Sequence, residues 1–177
     1  MLLGVAGQKN SGKDTFAARF KLYVPCITRA FAEPVKRVCQ QLYLLSDIQV
    51  YDTEKKEEVD KRWGLSPRQM FQHVGTDYVR RQINPNFWLQ HFEIWYRQQP
   101  PGTSVVVPDV RFQNEVDLIH RLGGKVVYIY RPFHNVNQDM HESEIAVTQL
   151  QNIDYHIDNC GSLAQFHQAI DFFRERL

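Results

Sequence analysis

The sequence has little net charge, few cysteines and no long apolar run, and each of these shortages excludes a class of protein. The 21 Lys and Arg residues are balanced by 20 Asp and Glu residues, so the formal net charge is +1. This balance argues against a protein that binds duplex nucleic acid by neutralising many phosphates, but it allows a small anionic substrate held by a few cations. No run approaches the ~20 apolar residues of a membrane span.

The three cysteines, Cys26, Cys39 and Cys160, form no close metal-type pair, and their odd number argues against a disulfide framework. The apolar start from Met1 to Gly7 is too short for a signal peptide. We therefore expect a cytoplasmic protein with reduced thiols, located in the host cytoplasm if the source is a virus. A chain of 177 residues with 43% hydrophobic residues is the size and composition of one folded domain.

Short apolar runs alternate with longer helical patterns, which predicts an α/β fold with a parallel sheet wrapped by helices. The predicted strands are 2–6, 26–31, 104–107, 125–130 and 155–157, and predicted helices include 33–45, 112–122 and one that Ser162 caps. Two further helices between Ser66 and Gln98 interrupt the alternation and predict a substrate-side subdomain. The mixed-charge run from Asp52 to Arg62 is expected to be a solvated helical face.

The strongest motif is Gly7-Gln8-Lys9-Asn10-Ser11-Gly12-Lys13-Asp14-Thr15, which directly follows the first strand. It fits G-x-x-x-x-G-K, with Asp14 at the usual Ser or Thr position and Thr15 one place later. Phosphate binding needs small residues whose N–H groups converge, a helix N-terminus behind them, and a lysine that reaches the transferred phosphate. All three are present, so we interpret the motif as a phosphate loop rather than a chance glycine-rich turn.

A second candidate site lies in Val107-Pro108-Asp109-Val110-Arg111, where a buried strand is expected to end. Open α/β sheets bind ligands at the carboxyl ends of their strands. Asp109 can therefore orient magnesium through water or accept a hydrogen bond from a substrate, and Arg111 can clamp a phosphoryl group. The alternative is that Asp109 only caps the helix that begins near Phe112.

The helix that begins after Ser66 has Met70, Val74 and Tyr78 as its expected apolar stripe, with Arg68 and Gln72 on the other side. Periodicity alone favours a solvated role for Arg68 and Gln72 over binding to a phosphate or a base edge. Trp88, on the next helix, is expected in the core rather than as a stacking platform. The polar residues 131–144 have the composition of a lid.

Several motifs recur in a fixed order along nearly the whole chain. They are Gly7 to Thr15, Phe31-Ala32-Glu33-Pro34-Val35-Lys36, Arg68 to Asp77, Pro108-Asp109-Val110-Arg111 with Glu115, Gly123-Gly124, Arg131-Pro132, His141 to Glu144, and Asp158-Asn159-Cys160-Gly161-Ser162. In this order they resemble the bacteriophage deoxynucleoside monophosphate kinases. The G-T-D and P-D-x-R elements carry the specificity of the resemblance. Residues 44–63 match least, so base selectivity is left unassigned.

The resemblance implies a single domain, 1–177, with the P-loop nucleoside-kinase fold: a five-stranded parallel sheet flanked by helices. Its parts would be a core of about 1–45 and 101–177, a helical substrate-binding insertion of about 46–100, and a short lid of about 131–144. The resemblance also implies transfer of the ATP γ-phosphate to a deoxynucleoside 5′-monophosphate, with Mg²⁺. A homodimer is left open.

The resemblance also implies roles for individual residues, and the catalytic ones would be Lys13, Arg68, Arg111 and Arg131. ATP would be bound by Asn10, Ser11, Gly12, Lys13, Asp14, Thr15 and Arg131, with Asn159 and Gly161 near the adenine. The monophosphate would be bound by Lys9, Lys36, Arg68, Gln72, Trp88, Asp109, Arg111 and Asn114. Magnesium would be held through water by Thr15 and Asp109.

Two other functions fit part of the pattern. A kinase of another phosphorylated small molecule, of the phosphomevalonate type, has a comparable loop and differs in its acceptor. A nucleotide-regulated switch or ATPase module would hydrolyse ATP without a second phosphate substrate, but the chain has no N-K-x-D motif, and no D-x-x-G directly follows the strand that ends at Val107. The identity of the acceptor therefore discriminates among these functions.

Overall fold

The structure, a computed structural model, describes residues 1–132 and 145–177. Apart from Arg131 and Pro132, the lid expected at 131–144 lies outside the described residues. Five strands form one parallel sheet, which confirms the fold class expected from the sequence. In chain order the strands are β1 (Leu2–Ala6), β2 (Ile27–Thr28), β3 (Val105–Val110), β4 (Lys125–Tyr130) and β5 (Tyr155–Asp158).

The sheet has the strand order β2-β3-β1-β4-β5, which places β1 at its centre. All five residues of β1 are buried, as expected for a parallel strand covered on both faces. Strand β2 is shorter than the predicted 26–31, because it lies at the edge, pairs only with β3 and is exposed at both residues. An exposed edge strand gains little burial from further pairing.

The described helices fall into two sets that match the division of the chain into two compact units, residues 1–30 with 98–177, and residues 31–97. The first unit contains α1 (Lys13–Lys21), α6 (Gln113–Arg121), a 3₁₀ turn (Val147–Gln149) and α7 (Leu163–Arg174). The second contains α2 (Glu33–Tyr43), α3 (Asp47–Tyr51), a 3₁₀ turn (Lys55–Glu57), α4 (Pro67–Gln72), a π-helix (His73–Ile83) and α5 (Phe87–Arg97). Helix α2 thus belongs to the second unit by this division.

In the first unit, helices cover both faces of the sheet. Successive residues of β1 point to opposite faces, so each face contributes side chains to a separate layer of packing. Leu3 and Val5 belong to a core formed with α1 and α7, which contribute phenylalanines such as Phe16 and Phe173. Gly4, on the other face, meets α6: a Cβ at this position would lie 2.5 Å from Ile119 Cδ1. The central strand therefore joins two layers of helix.

In the second unit, the π-helix shifts the buried stripe away from the sequence prediction. Met70 is fully buried and Val74 is partly buried, but the next buried apolar residue is Val79, whereas Tyr78 is 62% exposed. A π-helix bonds each residue to the fifth along the chain, so the repeat lengthens from four residues to five. The expected place of Tyr78 in the stripe is therefore wrong.

The mixed-charge run 52–62 is largely exposed to solvent, as expected, but it does not form the expected helix. It contains a single 3₁₀ turn, and Asp60 is 9% exposed and lies in an antiparallel bridge with Leu65. Hydrogen bonds from the side chain and backbone of Arg62 lower the pKa of Asp60, and the Gln49 amide donates to the same carboxylate at 2.9 Å. The buried carboxylate of Asp60 thus organises a compact turn. The sequence did not predict this turn, because the pattern of charges does not reveal which acidic residue is buried.

Candidate active site

The phosphate loop connects β1 to α1, where the sequence placed it. Its backbone enters the left-handed region at Gly7 (φ 145°), Asn10 (φ 61°) and Gly12 (φ 106°). A Cβ at Gly7 would lie 2.5 Å from Ser11 Oγ and 2.6 Å from the carbonyl oxygen of Ile129. Glycine is therefore needed at position 7 both for its backbone conformation and for the close approach of its neighbours.

Lys13 lies at the first helical position of α1 and folds back onto the loop. Its Nζ donates hydrogen bonds to the carbonyl oxygens of Gly7 at 2.7 Å and Gln8 at 2.6 Å, and its side chain is largely buried. The N-cap of α1 is Gly12, which has no side chain to cap the first N–H groups. A lysine next to an uncapped helix N-terminus is a favourable environment for an anion.

Four of the five strands bring candidate residues to one edge of the sheet, because the carboxyl ends of parallel strands meet there. The phosphate loop follows β1, Arg111 follows β3, Arg131 follows β4, and Asn159 follows β5. Asn159 contacts the loop directly: its side-chain amide donates to the carbonyl oxygen of Ser11 at 2.9 Å. Gly161, two residues later, is exposed.

Asp109 lies within β3 rather than after it, because the strand extends to Val110 instead of ending at the predicted Val107. The register shifts along this stretch: Gly4 is opposite Val107, whereas Ala6 is opposite Val110. Two residues of β3, Pro108 and Asp109, thus stand opposite Val5 alone, which is the arrangement of a β-bulge. Proline has no N–H for the ladder, so a bulge accommodates it in a central strand and redirects the side chain that follows.

The start of α6 is capped by Glu115. The Glu115 carboxylate is 2% exposed and accepts hydrogen bonds from the backbone N–H groups of Arg111 at 2.7 Å and Phe112 at 3.1 Å. Glu115 therefore also anchors the backbone of Arg111. A glutamate three residues after the N-cap, here Phe112, is a recognisable signal for this role, which sequence reasoning missed.

Four of the predicted monophosphate ligands, Lys36, Arg68, Gln72 and Trp88, belong to the second unit. Lys36 lies on α2 with its Nζ 5.2 Å from the centre of the Tyr51 ring, and Arg68 lies on α4 with its Nε bonded to the Glu57 carboxylate. Gln72 is half-buried one turn after Arg68. The Glu57 contact was missed because nothing in its mixed-charge neighbourhood distinguishes it from the acids around it.

Trp88 lies in the core of the second unit, as its residue type predicted. It is 6% exposed, packs with Val35, Cys39 and Val79, and donates its indole N–H to the carbonyl oxygen of Gly75 at 2.9 Å. Burial raises the pKa of the neighbouring Cys39 thiol to about 12, which keeps that thiol protonated. The role of Trp88 toward a monophosphate, implied by the resemblance, stays a prediction.

Residues 1–132 and 145–177 contain no group of three or more His, Cys, Asp or Glu side chains placed to hold a metal ion. Magnesium commonly uses one or two protein oxygens and takes its remaining ligands from phosphates and water. The Thr15 hydroxyl and the Asp109 carboxylate suit such a shared site by their chemistry. In the same described ranges, every helix is too short or too polar to cross a membrane.

Comparison with known proteins gives consistent results. The family model described as "Deoxynucleotide monophosphate kinase" matches residues 45–170. A protein of Acanthamoeba polyphaga mimivirus named "Putative deoxynucleotide monophosphate kinase" is 39% identical over 182 residues, which cover 96% of this chain and 94% of that protein. The deoxynucleotide monophosphate kinase of Enterobacteria phage T4 is 27% identical over 120 residues, which cover 67% of this chain and 48% of the phage protein.

Among solved structures, the dephospho-CoA kinase from Campylobacter jejuni has the same fold. It superposes with a TM-score of 0.50 at 16% sequence identity and covers 99% of this chain and 96% of its own. At this identity the likeness supports the fold alone.

Proposed function

The chain belongs to the deoxynucleotide monophosphate kinase family, and we propose that it transfers the γ-phosphate of ATP to a deoxynucleoside 5′-monophosphate, yielding the diphosphate and ADP. Family membership agrees with the resemblance found in the sequence and does not favour the phosphomevalonate-type kinase or the ATPase module. The observation that carries the proposal is the loop Gly7–Thr15, with Lys13 folded against it at an uncapped helix N-terminus.

On the donor side, we assign Asn10 to Thr15 to the ATP phosphates. Lys13 now donates to two neutral carbonyls, and phosphate oxygens would offer it stronger, charge-assisted hydrogen bonds. We therefore expect its ammonium to leave the loop carbonyls and bridge the donor and acceptor phosphates. Arg131, at the end of β4, would approach the phosphates from the lid side, and the adenine would lie near the exposed Gly161.

On the acceptor side, Arg68 is the principal proposed phosphate ligand. Its Nε is bonded to Glu57, which leaves both terminal amino groups of the guanidinium for bidentate contact with a phosphate. Arg111, whose backbone Glu115 anchors, would provide a second cation. The remaining proposed acceptor ligands are Lys9, Lys36, Gln72, Trp88, Asp109 and Asn114.

The chemistry requires no general base, because the acceptor is already an anionic phosphate oxygen. Phosphoryl transfer passes through a loose transition state, so the protein mainly positions the reactants and neutralises negative charge. Lys13, Arg68, Arg111 and Arg131 would supply that neutralisation. Magnesium, bound with the nucleotide, would neutralise further phosphate charge, with Thr15 and Asp109 on its protein side through water.

The proposal is tested by following ADP formation with ATP and each common deoxynucleoside monophosphate in turn, with the ribonucleotides and phosphomevalonate as rival acceptors. We expect ADP to form with at least one deoxynucleoside monophosphate and not with phosphomevalonate or without an acceptor, and the ribonucleotides measure the selectivity for the sugar. ADP formed with phosphomevalonate, or with no acceptor, would instead identify one of the alternatives. The location in the host cytoplasm stays a prediction of the sequence, and a homodimer stays open.

A further inference from the structure

The Asn159 side chain points into the protein, toward the phosphate loop. The residue is 7% exposed, and its Nδ2 donates to the carbonyl oxygen of Ser11 at 2.9 Å across 148 positions of sequence. Its own backbone N–H donates to the carbonyl oxygen of Tyr130 at 2.7 Å, at the end of β4. Asn159 is therefore held by its backbone at the end of β4, and its side chain binds the Ser11–Gly12 peptide group of the loop.

Holding the Ser11 carbonyl also fixes the N–H group of Gly12. In a trans peptide the C=O and N–H bonds point in opposite directions. Because the Ser11 oxygen points to Asn159, the Gly12 N–H points away from Asn159. A donor held in advance costs less conformational entropy when a phosphate oxygen binds than a donor that has to be ordered at that moment.

The packing around Gly12 shows that the contact is built into the loop. A Cβ at Gly12 would lie 2.6 Å from Asn159 Nδ2 and 3.0 Å from Phe166 Cε1. Gly12 also has φ 106°, a conformation that other residues rarely adopt. The loop peptide, the asparagine amide and the phenylalanine ring thus occupy adjoining space, with no room for an extra methyl group.

We infer that Asn159 is a positioning residue for the phosphate loop, whose carboxamide orients the Ser11–Gly12 peptide for the polyphosphate of the donor. This inference rests on the proposed use of ATP at the loop. It differs from the role near the adenine that the resemblance implies, because the side chain acts on the part of the site that binds phosphate. The two roles predict different ligand dependence.

The test compares Asn159→Ala and Asn159→Asp with wild type in binding to ATP, GTP and inorganic tripolyphosphate by calorimetry. Asn159→Asp keeps the side-chain volume and replaces the donating amide nitrogen with an accepting oxygen. It serves as the test variant if Asn159→Ala does not fold. Loss of the buried hydrogen bond is expected to weaken all three ligands by a similar factor, about 10-fold or more. Cys160→Ser, at an exposed neighbouring position, should leave all three affinities unchanged.

The KM for the deoxynucleoside monophosphate distinguishes a positioning role of Asn159 at the phosphate loop from a general loss of structure. We expect the KM for ATP to rise in both Asn159 variants while the KM for the deoxynucleoside monophosphate changes less than 2-fold. An unchanged affinity for tripolyphosphate in either folded variant would overturn the inference. If that same variant bound ATP more weakly, the result would support the role of Asn159 near the adenine instead. Equal loss of donor and acceptor binding would also overturn it. Wild-type protein that binds neither ATP nor tripolyphosphate would refute the proposed function itself.

Discussion

The ammonium of Lys13 is hydrogen-bonded to the carbonyl oxygen of Gly7, six residues earlier, so the cation of the phosphate loop closes the loop on itself. The contact is neutral on the acceptor side and therefore weaker than a contact with phosphate. It keeps a largely buried charge solvated by the protein's own carbonyls. Binding of a triphosphate would exchange these partners for anionic ones.

Replacing Lys13 with alanine should abolish most of the transfer while the fold is kept. Removing a cation that acts on developing charge should lower kcat by about 100-fold or more. The measurement is ADP formation at saturating substrates, with thermal unfolding to verify the fold. Lys21→Ala, at the exposed end of the same helix, is the matched control and should retain full activity. Near-normal turnover in folded Lys13→Ala would refute the assignment of the loop.

Arg68→Ala should raise the KM for the monophosphate far more than the KM for ATP, because Arg68 is proposed to bind the acceptor. Loss of a charge-assisted contact corresponds to roughly 10-fold or more. Steady-state kinetics with each substrate varied in turn measures both values. Arg37→Ala, on the exposed face of α2, removes a cation from the same unit and should change neither KM. Equal increases for the two substrates in Arg68→Ala would place Arg68 outside the acceptor site.

Trp88→Phe should destabilise the protein more than Trp63→Phe does. Both indoles donate to backbone carbonyls at 2.9 Å, but Trp88 is 6% exposed and Trp63 is 45% exposed. The Gly75 carbonyl would lose this buried side-chain hydrogen bond, at a cost of about 0.5–1.5 kcal/mol. Urea unfolding of the two variants gives the comparison. Equal losses in the free energy of unfolding would show that the buried Trp88 hydrogen bond stabilises the protein no more than the exposed Trp63 hydrogen bond does.

Asp154 should make stability depend on pH in the acid range. Partial burial by itself would raise the pKa of Asp154, but hydrogen bonds from Lys125, the Val126 N–H and His120 outweigh burial and lower that pKa. Because the folded-state pKa is below the unfolded value of about 3.9, the stabilisation is present above that pH. It is lost as the pH falls through the lower, folded-state pKa.

The measurement for Asp154 is the urea midpoint of wild type and Asp154→Asn between pH 7 and pH 2.5. The variant should be less stable at neutral pH, and the difference should narrow below about pH 4. Asp117→Asn, at an exposed position on α6, controls for loss of one surface charge. A difference between wild type and Asp154→Asn that is constant across this range would contradict the expected linkage.

The sequence was sufficient where a pattern acts locally. The phosphate loop lies at Gly7–Thr15 because glycines at fixed offsets, a preceding apolar strand and a following helix are all encoded within about fifteen residues. The valines of β3 predicted a buried strand for the same reason. Prediction failed where the backbone departs from a regular α-helix or a regular strand. The π-helix moved burial from Tyr78 to Val79, and the bulge at Pro108 carried β3 past its expected end.

By itself, the sequence determined the class of fold and the position of the glycine-rich loop between β1 and α1, because apolar periodicity and small-residue spacing constrain the backbone directly. The tertiary structure decided which polar groups act on which. Asn159 bonds to Ser11 across 148 positions, and the Glu115 carboxylate is assigned to the Arg111 backbone rather than to solvent. A hydrogen bond depends on distances and angles that are fixed only when helices and strands pack, and residue order contains no such distances.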